Sequence, residues 1–102
     1  MTNLDDSLTQ ACRAALEAWG REMQFIVLVE ELGELTVAVQ HFLRGRGSAE
    51  EVLGEAADVE VMLRQLWVLM NQLQNRETYI KAKIDRIHNR ISTGARVRLG
   101  EG

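Results

Sequence analysis

The chain has 102 residues, of which 46% are hydrophobic and 26% are charged, and it contains no proline. This length allows one domain, which buries a smaller share of its surface than a larger protein does and favours completion by a partner subunit. The composition excludes a disordered chain and suits an all-α protein. The net charge of −3 gives no general attraction to nucleic acid or to an anionic membrane, so we expect neither as a partner.

The cysteine content and the N-terminus indicate the compartment. Cys12 is the single cysteine, so the chain has no second thiol for an internal disulfide. The first ten residues, MTNLDDSLTQ, have neither the basic start nor the apolar run of a secretory signal. We therefore expect a cytoplasmic protein.

The first two predicted helices follow from apolar residues at spacings of three and four. This pattern predicts a short amphipathic helix over residues 4–18, ending near Gly20. A second helix is predicted over residues 21–43, where one face is apolar along the whole segment. The residues of that face are Phe25, Leu28, Leu32, Leu35, Val39 and Phe42.

A break and a cap introduce the third predicted helix. The segment RGRGS interrupts the apolar pattern with two glycines. Ser48, with Glu51 three residues later, forms a capping box for the helix that follows. We expect this helix to run from residue 49 to about residue 73.

The fourth predicted helix covers residues 76–91, with Asn75 as its N-cap. Residues 1–92 are then expected to form the domain, and residues 93–102, which contain three glycines, a flexible C-terminal tail. The apolar stripe of the fourth helix is made of Ile80, Ile84, Ile87 and Ile91.

Two segments are more apolar than a small monomer requires. Residues 25–29, FIVLV, and residues 61–70, VMLRQLWVLM, are apolar almost all the way round, and such helices have to be covered on all sides. Four short helices cannot cover both segments. We therefore expect a four-helix bundle completed by homo-oligomerisation, as a homodimer or a tetramer built from two dimers.

Four acidic residues lie within these apolar helices as two pairs. At about 100° per residue, Glu31 and Glu34 share a face of the second helix, and Glu55 and Asp58 share a face of the third. Two facing pairs make an oxygen-rich site without cysteine or a suitably placed histidine, which suits Mg²⁺ or Mn²⁺. Carboxylates held this close repel one another, and a bound cation is the simplest reason to keep them.

A solvated helix face is the other interpretation of either pair, because glutamate favours helices and usually faces water at this spacing. It explains both pairs together less well, since no lysine or arginine lies between residues 22 and 43 to pair with Glu31 and Glu34. A di-iron site is not favoured, because its Glu-x-x-His pairs are missing. We interpret His41 and His88 as surface or boundary residues.

The acids also match a family signature. The run EELGE at residues 30–34, followed after 20 residues by EAAD at residues 55–58, resembles the EExxE and ExxD motifs of the MazG-like all-α nucleoside triphosphate pyrophosphohydrolases. The resemblance extends over roughly residues 19–91 and is greatest to the small, single-domain members. It is carried by five acidic positions in the right order on two predicted helices.

The resemblance implies cleavage of a (d)NTP between the α and β phosphates, giving (d)NMP and pyrophosphate. It implies Mg²⁺, with Mn²⁺ as a substitute, held by Glu31, Glu34, Glu55 and Asp58. Glu30 matches the first acid of the motif, which positions or deprotonates the attacking water. Elementary chemistry agrees, because a divalent cation on phosphate oxygens neutralises charge in the transition state.

Cationic partners for the triphosphate are expected on the fourth helix. Lys83, Arg86 and Arg90 share one flank of the isoleucine stripe, and Lys81 and His88 lie on the other. We predict that the first cluster binds the phosphates. Lys83 and Arg90 resemble the lysine and arginine that small family members carry after the second motif. A solvated basic face is the alternative.

Recognition of the base is less defined. Gln24 lies on a face similar to that of the acids and is expected either to hydrogen-bond a base or to satisfy a polar edge. The chain lacks the extra segment with which longer family members can close over a base. The preferred nucleotide therefore stays open, as does the choice between housecleaning of damaged nucleotides and control of a normal pool.

The competing functions are a non-enzymatic oligomeric interaction module and a homologue that binds nucleotides without turnover.

Overall fold

The computed structural model describes residues 3–94, and all regular structure there is helical, which confirms the predicted all-α class. Four α-helices and one turn of 3-10 helix follow one another along the chain. They are α1 (Leu4–Trp19), α2 (Arg21–Leu43), α3 (Ala49–Leu69), the 3-10 turn (Leu73–Asn75) and α4 (Arg76–Ser92). None of these helices combines the length and the apolar character that crossing a membrane requires.

The chain divides into two compact units between Asn71 and Gln72. The first unit holds α1, α2 and α3, and the second holds the 3-10 turn and α4. The four-helix MazG-like bundle, its completion by homo-oligomerisation and the domain bounds of 1–92 stay predictions. The predicted flexible tail, residues 93–102, lies outside the described residues from residue 95 onward.

The first, second and fourth helices agree with their predicted bounds to within one residue, whereas α3 is shorter than predicted. Instead of reaching about residue 73, α3 ends at Leu69, and Asn71 adopts a left-handed backbone with φ of 56°. Asparagine tolerates this conformation better than most residues with a Cβ, so it stops the helix within one turn. Gly20, with φ of 85°, separates α1 from α2 in the way that only glycine allows readily.

Side-chain caps hold the first turns of α1 and α3. The Asn3 side chain accepts a hydrogen bond from the N–H of Asp6 at 2.8 Å. Ser48 Oγ accepts one from the N–H of Glu51 at 3.1 Å, which confirms the predicted cap of the third helix. Each bond satisfies a backbone donor that has no partner within its helix.

Asn75 directly precedes α4, as predicted, but it does not act as a capping residue. A capping residue needs an extended backbone, but the 3-10 turn runs directly into α4 and leaves Asn75 with φ of −102° and ψ of 0°. Its side chain makes no capping bond. Instead, Asn75 Nδ2 donates to Gln72 Oε1 at 2.7 Å.

Polar side chains pair along one seam between α2 and α3, which form an antiparallel hairpin. Gln65 Nε2 donates to Gln24 Oε1 at 2.8 Å, and Glu31 lies within side-chain hydrogen-bonding reach of Asp58. Seven residues, or about two helical turns, separate Gln24 from Glu31 on α2 and Asp58 from Gln65 on α3. A single register therefore aligns both pairs, and we call this row of pairs the polar seam.

Helix α1 packs against α3 through Cys12. The Cys12 carbonyl accepts a hydrogen bond from Gln65 Nε2 at 2.8 Å, and Cys12 Sγ donates to the Val61 carbonyl at 3.7 Å. Burial raises the pKa of the Cys12 thiol, which makes it a packing residue rather than a nucleophile. Within residues 3–94 the buried apolar core is small and consists of Cys12, Leu28, Ala38, Val59, Met62 and Leu69.

Apolar side chains remain exposed in both segments that the sequence marks as too apolar for a monomer. Val29 is 69% exposed in the first segment. In the second, Val61 is 43% exposed and Met70 is 54% exposed. Their burial by another copy of the chain remains a prediction.

Candidate metal centre and the two grooves beside it

The polar seam brings the predicted acids of α2 and α3 together. Glu31 and Glu34 lie on α2, one turn apart, and Glu55 and Asp58 lie one turn apart on α3. Glu31 lies within side-chain hydrogen-bonding reach of Asp58, and Glu34 within reach of Glu55. The two predicted carboxylate pairs therefore face each other across the hairpin.

Three of the four carboxylates converge on one point. Glu31, Glu34 and Glu55 each place one carboxylate oxygen so that these three atoms lie within 4.8 Å of one another. Oxygens bound to one Mg²⁺ or Ca²⁺ at about 2.0 to 2.6 Å lie no more than about 5 Å apart, so three such atoms fit one coordination shell. Among the described residues, no other group of three or more acids, histidines or cysteines meets this distance condition.

Two oxygens of this cluster are buried without a hydrogen-bond partner, Glu31 Oε2 and Glu55 Oε2. Burial raises the pKa of Glu31, and the charges of Glu34, Asp58 and Glu55 and a hydrogen bond with Asp58 raise it further. Burial also raises the pKa of Glu55, followed by the charge of Glu34, a hydrogen bond with Glu34 and the charge of Asp58. No lysine, arginine or histidine side chain is among the causes of either shift, so no basic residue compensates the ionised forms.

Asp58 and Glu30 lie at the rim of the cluster. Both side chains are exposed. Asp58 acts on Glu31 and Glu55 through its charge but does not belong to the group of three whose oxygens meet within 4.8 Å. The roles of Asp58 as a fourth ligand and of Glu30 as the residue that positions water therefore stay predictions.

An open groove of about 970 Å³ runs beside the carboxylates, and we call it the acidic groove. Its walls lie within residues 30–41 of α2 and 50–58 of α3. His41, predicted to be a surface or boundary residue, is exposed and lines one part of it. The acids that line the groove are Glu30, Glu34, Glu50, Glu51, Glu55 and Asp58.

Two glycines that the sequence analysis did not select also line the acidic groove, Gly33 on α2 and Gly54 on α3. A Cβ on either would meet nothing within 4 Å, so close packing does not require glycine there. Glycine inside a helix costs about 0.5 to 1 kcal/mol relative to alanine. Their position beside the acids, inside otherwise favourable helices, is the signal that could have identified them as residues of the groove.

The predicted phosphate-binding residues lie on α4, in the second unit. Lys83 is exposed, and Arg86 and Arg90 are half-buried. Both arginines already interact with other groups of the chain. Their contact with a triphosphate stays a prediction.

A second groove, of about 820 Å³, lies between α1, α2 and α3, and we call it the apolar groove. Gln24 and Gln65 line it, although they are only 3% and 1% exposed. Gln24, which the sequence singles out, is thus buried and paired with Gln65. The remaining lining is apolar and includes Ala11, Ala14, Ala18, Trp19, Met23 and Met62.

Sequence reasoning missed Gln65. A signal was present, because Gln65 lies seven residues beyond Asp58, as Glu31 lies seven beyond Gln24. Residues seven positions apart lie on the same face of a helix. Each of the two apolar helices therefore carries two polar residues on one face. In an antiparallel hairpin such faces meet, and the result is the polar seam.

Comparisons of the chain with protein-family models, with curated proteins and with solved structures give no match. The chemistry of the site therefore rests on its own residues. The cluster offers only carboxylate oxygens, which hard divalent cations prefer to thiolate or imidazole ligands. Such an arrangement can hold a cation at the edge of an open groove and attract an anionic ligand to it.

Proposed function

We propose that the chain is a MazG-like nucleoside triphosphate pyrophosphohydrolase that depends on a divalent cation and converts a (d)NTP into (d)NMP and pyrophosphate. The observation that carries the proposal is the convergence of three carboxylate oxygens within 4.8 Å beside an open groove. The resemblance of the motifs to those of the family supports the proposal, because it implies a site built from the same acids.

The residues fit a divalent cation on two grounds. Glu31 Oε2 and Glu55 Oε2 are buried without partners, and a buried charge without a partner is costly. The donor set is all oxygen, which suits Mg²⁺ and, as a substitute, Mn²⁺. We assign the ligands as Glu31, Glu34, Glu55 and Asp58.

The remaining groups of the site bind and orient the substrate. When bound, the cation supplies charge neutralisation for the phosphate oxygens and polarises the attacking water. Glu30, exposed at the rim, orients that water toward the α phosphorus and accepts its proton. The bond from the α phosphorus to the bridging oxygen then breaks, and pyrophosphate leaves. Lys83, Arg86 and Arg90 hold the β and γ phosphates.

Product identification tests the assignment directly. A panel of canonical and modified dNTPs and NTPs is incubated with the protein and Mg²⁺, and the products are separated by ion-exchange chromatography. The proposal expects monophosphate and pyrophosphate, with little diphosphate or free phosphate. Diphosphate with free phosphate would show that another bond is cut.

The exposed apolar surface favours assembly, which is part of the same proposal. Val29 and Met70, which line neither groove, are each more than half exposed, and large contiguous apolar patches are uncommon on monomers. We propose a homodimer or a tetramer. Light scattering at micromolar concentration should give at least twice the mass of 11.5 kDa, and a stable species of that single mass would contradict it.

A non-enzymatic interaction module is the second candidate, and the same exposed apolar surface is the observation that favours it. Such a module needs neither the cation nor the nucleotide. If the protein binds Mg²⁺ together with a non-hydrolysable triphosphate but turns over no member of the panel, a nucleotide-binding homologue without activity becomes the better description. If it binds neither, the module does.

A further inference from the structure

The apolar groove is lined by a buried glutamine with one unsatisfied atom. Gln65 is 1% exposed, and its Nε2 donates two hydrogen bonds of 2.8 Å, to the Cys12 carbonyl and to Gln24 Oε1. Its Oε1 is buried and has no hydrogen-bond partner. Buried polar atoms almost always have a partner, so this oxygen indicates a group that is still to be bound.

The orientation of the Gln65 carboxamide is fixed by these two bonds. Rotating it by half a turn would place Oε1 against two oxygens that only accept, the Cys12 carbonyl and Gln24 Oε1. Both hydrogens of Nε2 are used. Gln65 therefore offers an acceptor, and its partner has to be a donor.

The walls of the apolar groove suit a flat ring. Four alanines of α1, Ala11, Ala14, Ala15 and Ala18, line it, and alanine keeps a helix while filling the least space of any residue with a Cβ. Trp19 supplies an aromatic surface. Ligand sites are commonly apolar pockets of about 300 to 1,000 Å³ with a few polar groups, and the volume of about 820 Å³ lies in that range.

The polar seam links the apolar groove to the carboxylates. The Gln24–Gln65 pair lies seven residues from the Glu31–Asp58 pair along both helices, or roughly 10 Å. A nucleotide has its base and its phosphates at opposite ends. One molecule can therefore reach from the apolar groove to the acids.

We infer that the apolar groove binds the base of the substrate and that Gln65 selects a ring with an N–H donor for its Oε1. This inference rests on the proposed function, because it assigns the base of the same nucleotide. Gln24 acts as a positioning residue, since it holds Gln65 in the accepting orientation. An ordered water that satisfies Oε1 is the competing occupant.

Nucleosides test the inference without phosphate, cation or turnover. Binding to metal-free protein is measured by calorimetry for matched pairs, uridine with 3-methyluridine and adenosine with N6,N6-dimethyladenosine, in which methylation removes the N–H donors of the ring edge. We expect at least one parent nucleoside to bind about tenfold more tightly, or more, than its methylated form, because methylation leaves Oε1 unsatisfied. Equal affinity within both pairs, or no binding of any nucleoside, overturns the inference in favour of water.

A matched pair of alanine variants locates the binding. Ala14 lines the apolar groove, and Ala57 lies on α3, is exposed and lines neither groove. Ala14→Leu should abolish nucleoside binding, whereas Ala57→Leu should leave it unchanged. Circular dichroism checks that both variants stay folded. Binding that survives Ala14→Leu would place the nucleoside elsewhere.

Nucleoside binding tests the inference, and triphosphate hydrolysis tests the proposed function, so the failure of one can be distinguished from the failure of the other. Nucleoside binding that depends on Ala14 and on the ring N–H, without hydrolysis of any triphosphate, supports the groove and contradicts the enzyme. Hydrolysis to monophosphate and pyrophosphate with no dependence on the ring N–H supports the enzyme and contradicts the groove.

Discussion

The acidic groove and the apolar groove share the hairpin of α2 and α3, to which the apolar groove adds α1, and they differ in the polar atoms that they leave without a partner. Buried oxygens without a partner lie at both: Glu31 Oε2 and Glu55 Oε2 in the carboxylate cluster beside the acidic groove, and Gln65 Oε1 at the apolar groove. In the cluster the oxygens belong to ionisable groups whose charges repel. Beside the alanines the oxygen is neutral and held in place by two donated bonds.

The difference indicates what each groove can bind. A cluster of carboxylates is relieved by a cation, which satisfies several oxygens at once. A single neutral acceptor in an apolar wall is relieved by a single donor on an otherwise apolar ring. The register of the hairpin places these two requirements about two turns apart, which is the separation that our proposal of one nucleotide bound across both grooves requires.

The largest effect is expected from removing charge at the metal centre. Asp58→Asn and Glu34→Gln should each lower the turnover of a triphosphate by about a hundredfold or more, because each removes a charge that fixes the cation where transition-state charge develops. Glu60→Gln is the control, since Glu60 is exposed on α3 and lines neither groove. Turnover is measured by steady-state kinetics. An equal loss of turnover in all three variants would contradict a specific role of the carboxylate cluster in catalysis.

The next largest effect comes from adding a charge to the apolar groove. Gln65→Glu keeps the size of the side chain but replaces the amide Nε2, which donates two hydrogen bonds, with a carboxylate oxygen. That oxygen faces the Cys12 carbonyl and Gln24 Oε1, which both accept. We expect it to lower the free energy of unfolding by at least about 2 kcal/mol, because two buried acceptors lose their donor. Urea denaturation near neutral pH measures the loss.

The opposite replacement in the cluster should not destabilise the metal-free protein. Glu55→Gln removes a repelling charge, so its denaturation midpoint should equal or exceed that of the wild type when a chelator is present. If both replacements destabilise the protein equally, the contrast between the two grooves is wrong.

The pH dependence of stability gives a smaller effect with a definite sign. Glu31 and Glu55 have a folded-state pKa raised above 4.5, so above pH 4.5 the folded state binds more protons than the unfolded state. Their contribution to stability is therefore lost as pH rises from 4.5 through the raised pKa. In the presence of a chelator, the melting temperature of the wild type should fall over this range more than that of Glu55→Gln.

Adding Mg²⁺ sharpens the same measurement. The cation competes with protons for the carboxylates, so its stabilising effect should be larger near neutral pH than at about pH 5. Glu55→Gln should lose most of that gain. A melting temperature that Mg²⁺ leaves unchanged at both pH values, even with a non-hydrolysable triphosphate present, would contradict the metal centre.

Much of the carboxylate cluster follows from spacing alone. The positions of Glu31 and Glu34 on one helix, and of Glu55 and Asp58 on another, determine that each pair shares a face, and the structure brings the pairs together. Spacing does not determine which oxygens are buried. Glu31 and Glu55 are half-buried while Glu34 and Asp58 are exposed, because the pairing of the two helices decides how far each side chain lies from water.

The apolar groove is less accessible to sequence reasoning. The orientation of Gln65 depends on the Cys12 carbonyl, which α1 contributes from 53 residues away, and no pattern within α3 contains that contact. The end of α3 is missed for a related reason. Met70 and Leu73 continue the apolar spacing past Leu69, but Asn71 has a left-handed backbone, and α3 ends at Leu69.

The smallest expected effect concerns the glycines of the acidic groove. Gly33→Ala and Gly54→Ala should each raise the free energy of unfolding by about 0.5 to 1 kcal/mol. Both residues are helical, and an added Cβ meets nothing within 4 Å. Gly20→Ala is the opposite control, since φ of 85° strains any residue with a Cβ, and it should destabilise the protein.

If Gly33→Ala and Gly54→Ala also destabilise the protein, the backbone at these two positions requires glycine. If they stabilise it as expected and turnover falls, the space above the carboxylates is used by the substrate, and the acidic groove has kept two unfavourable helix residues for the sake of access.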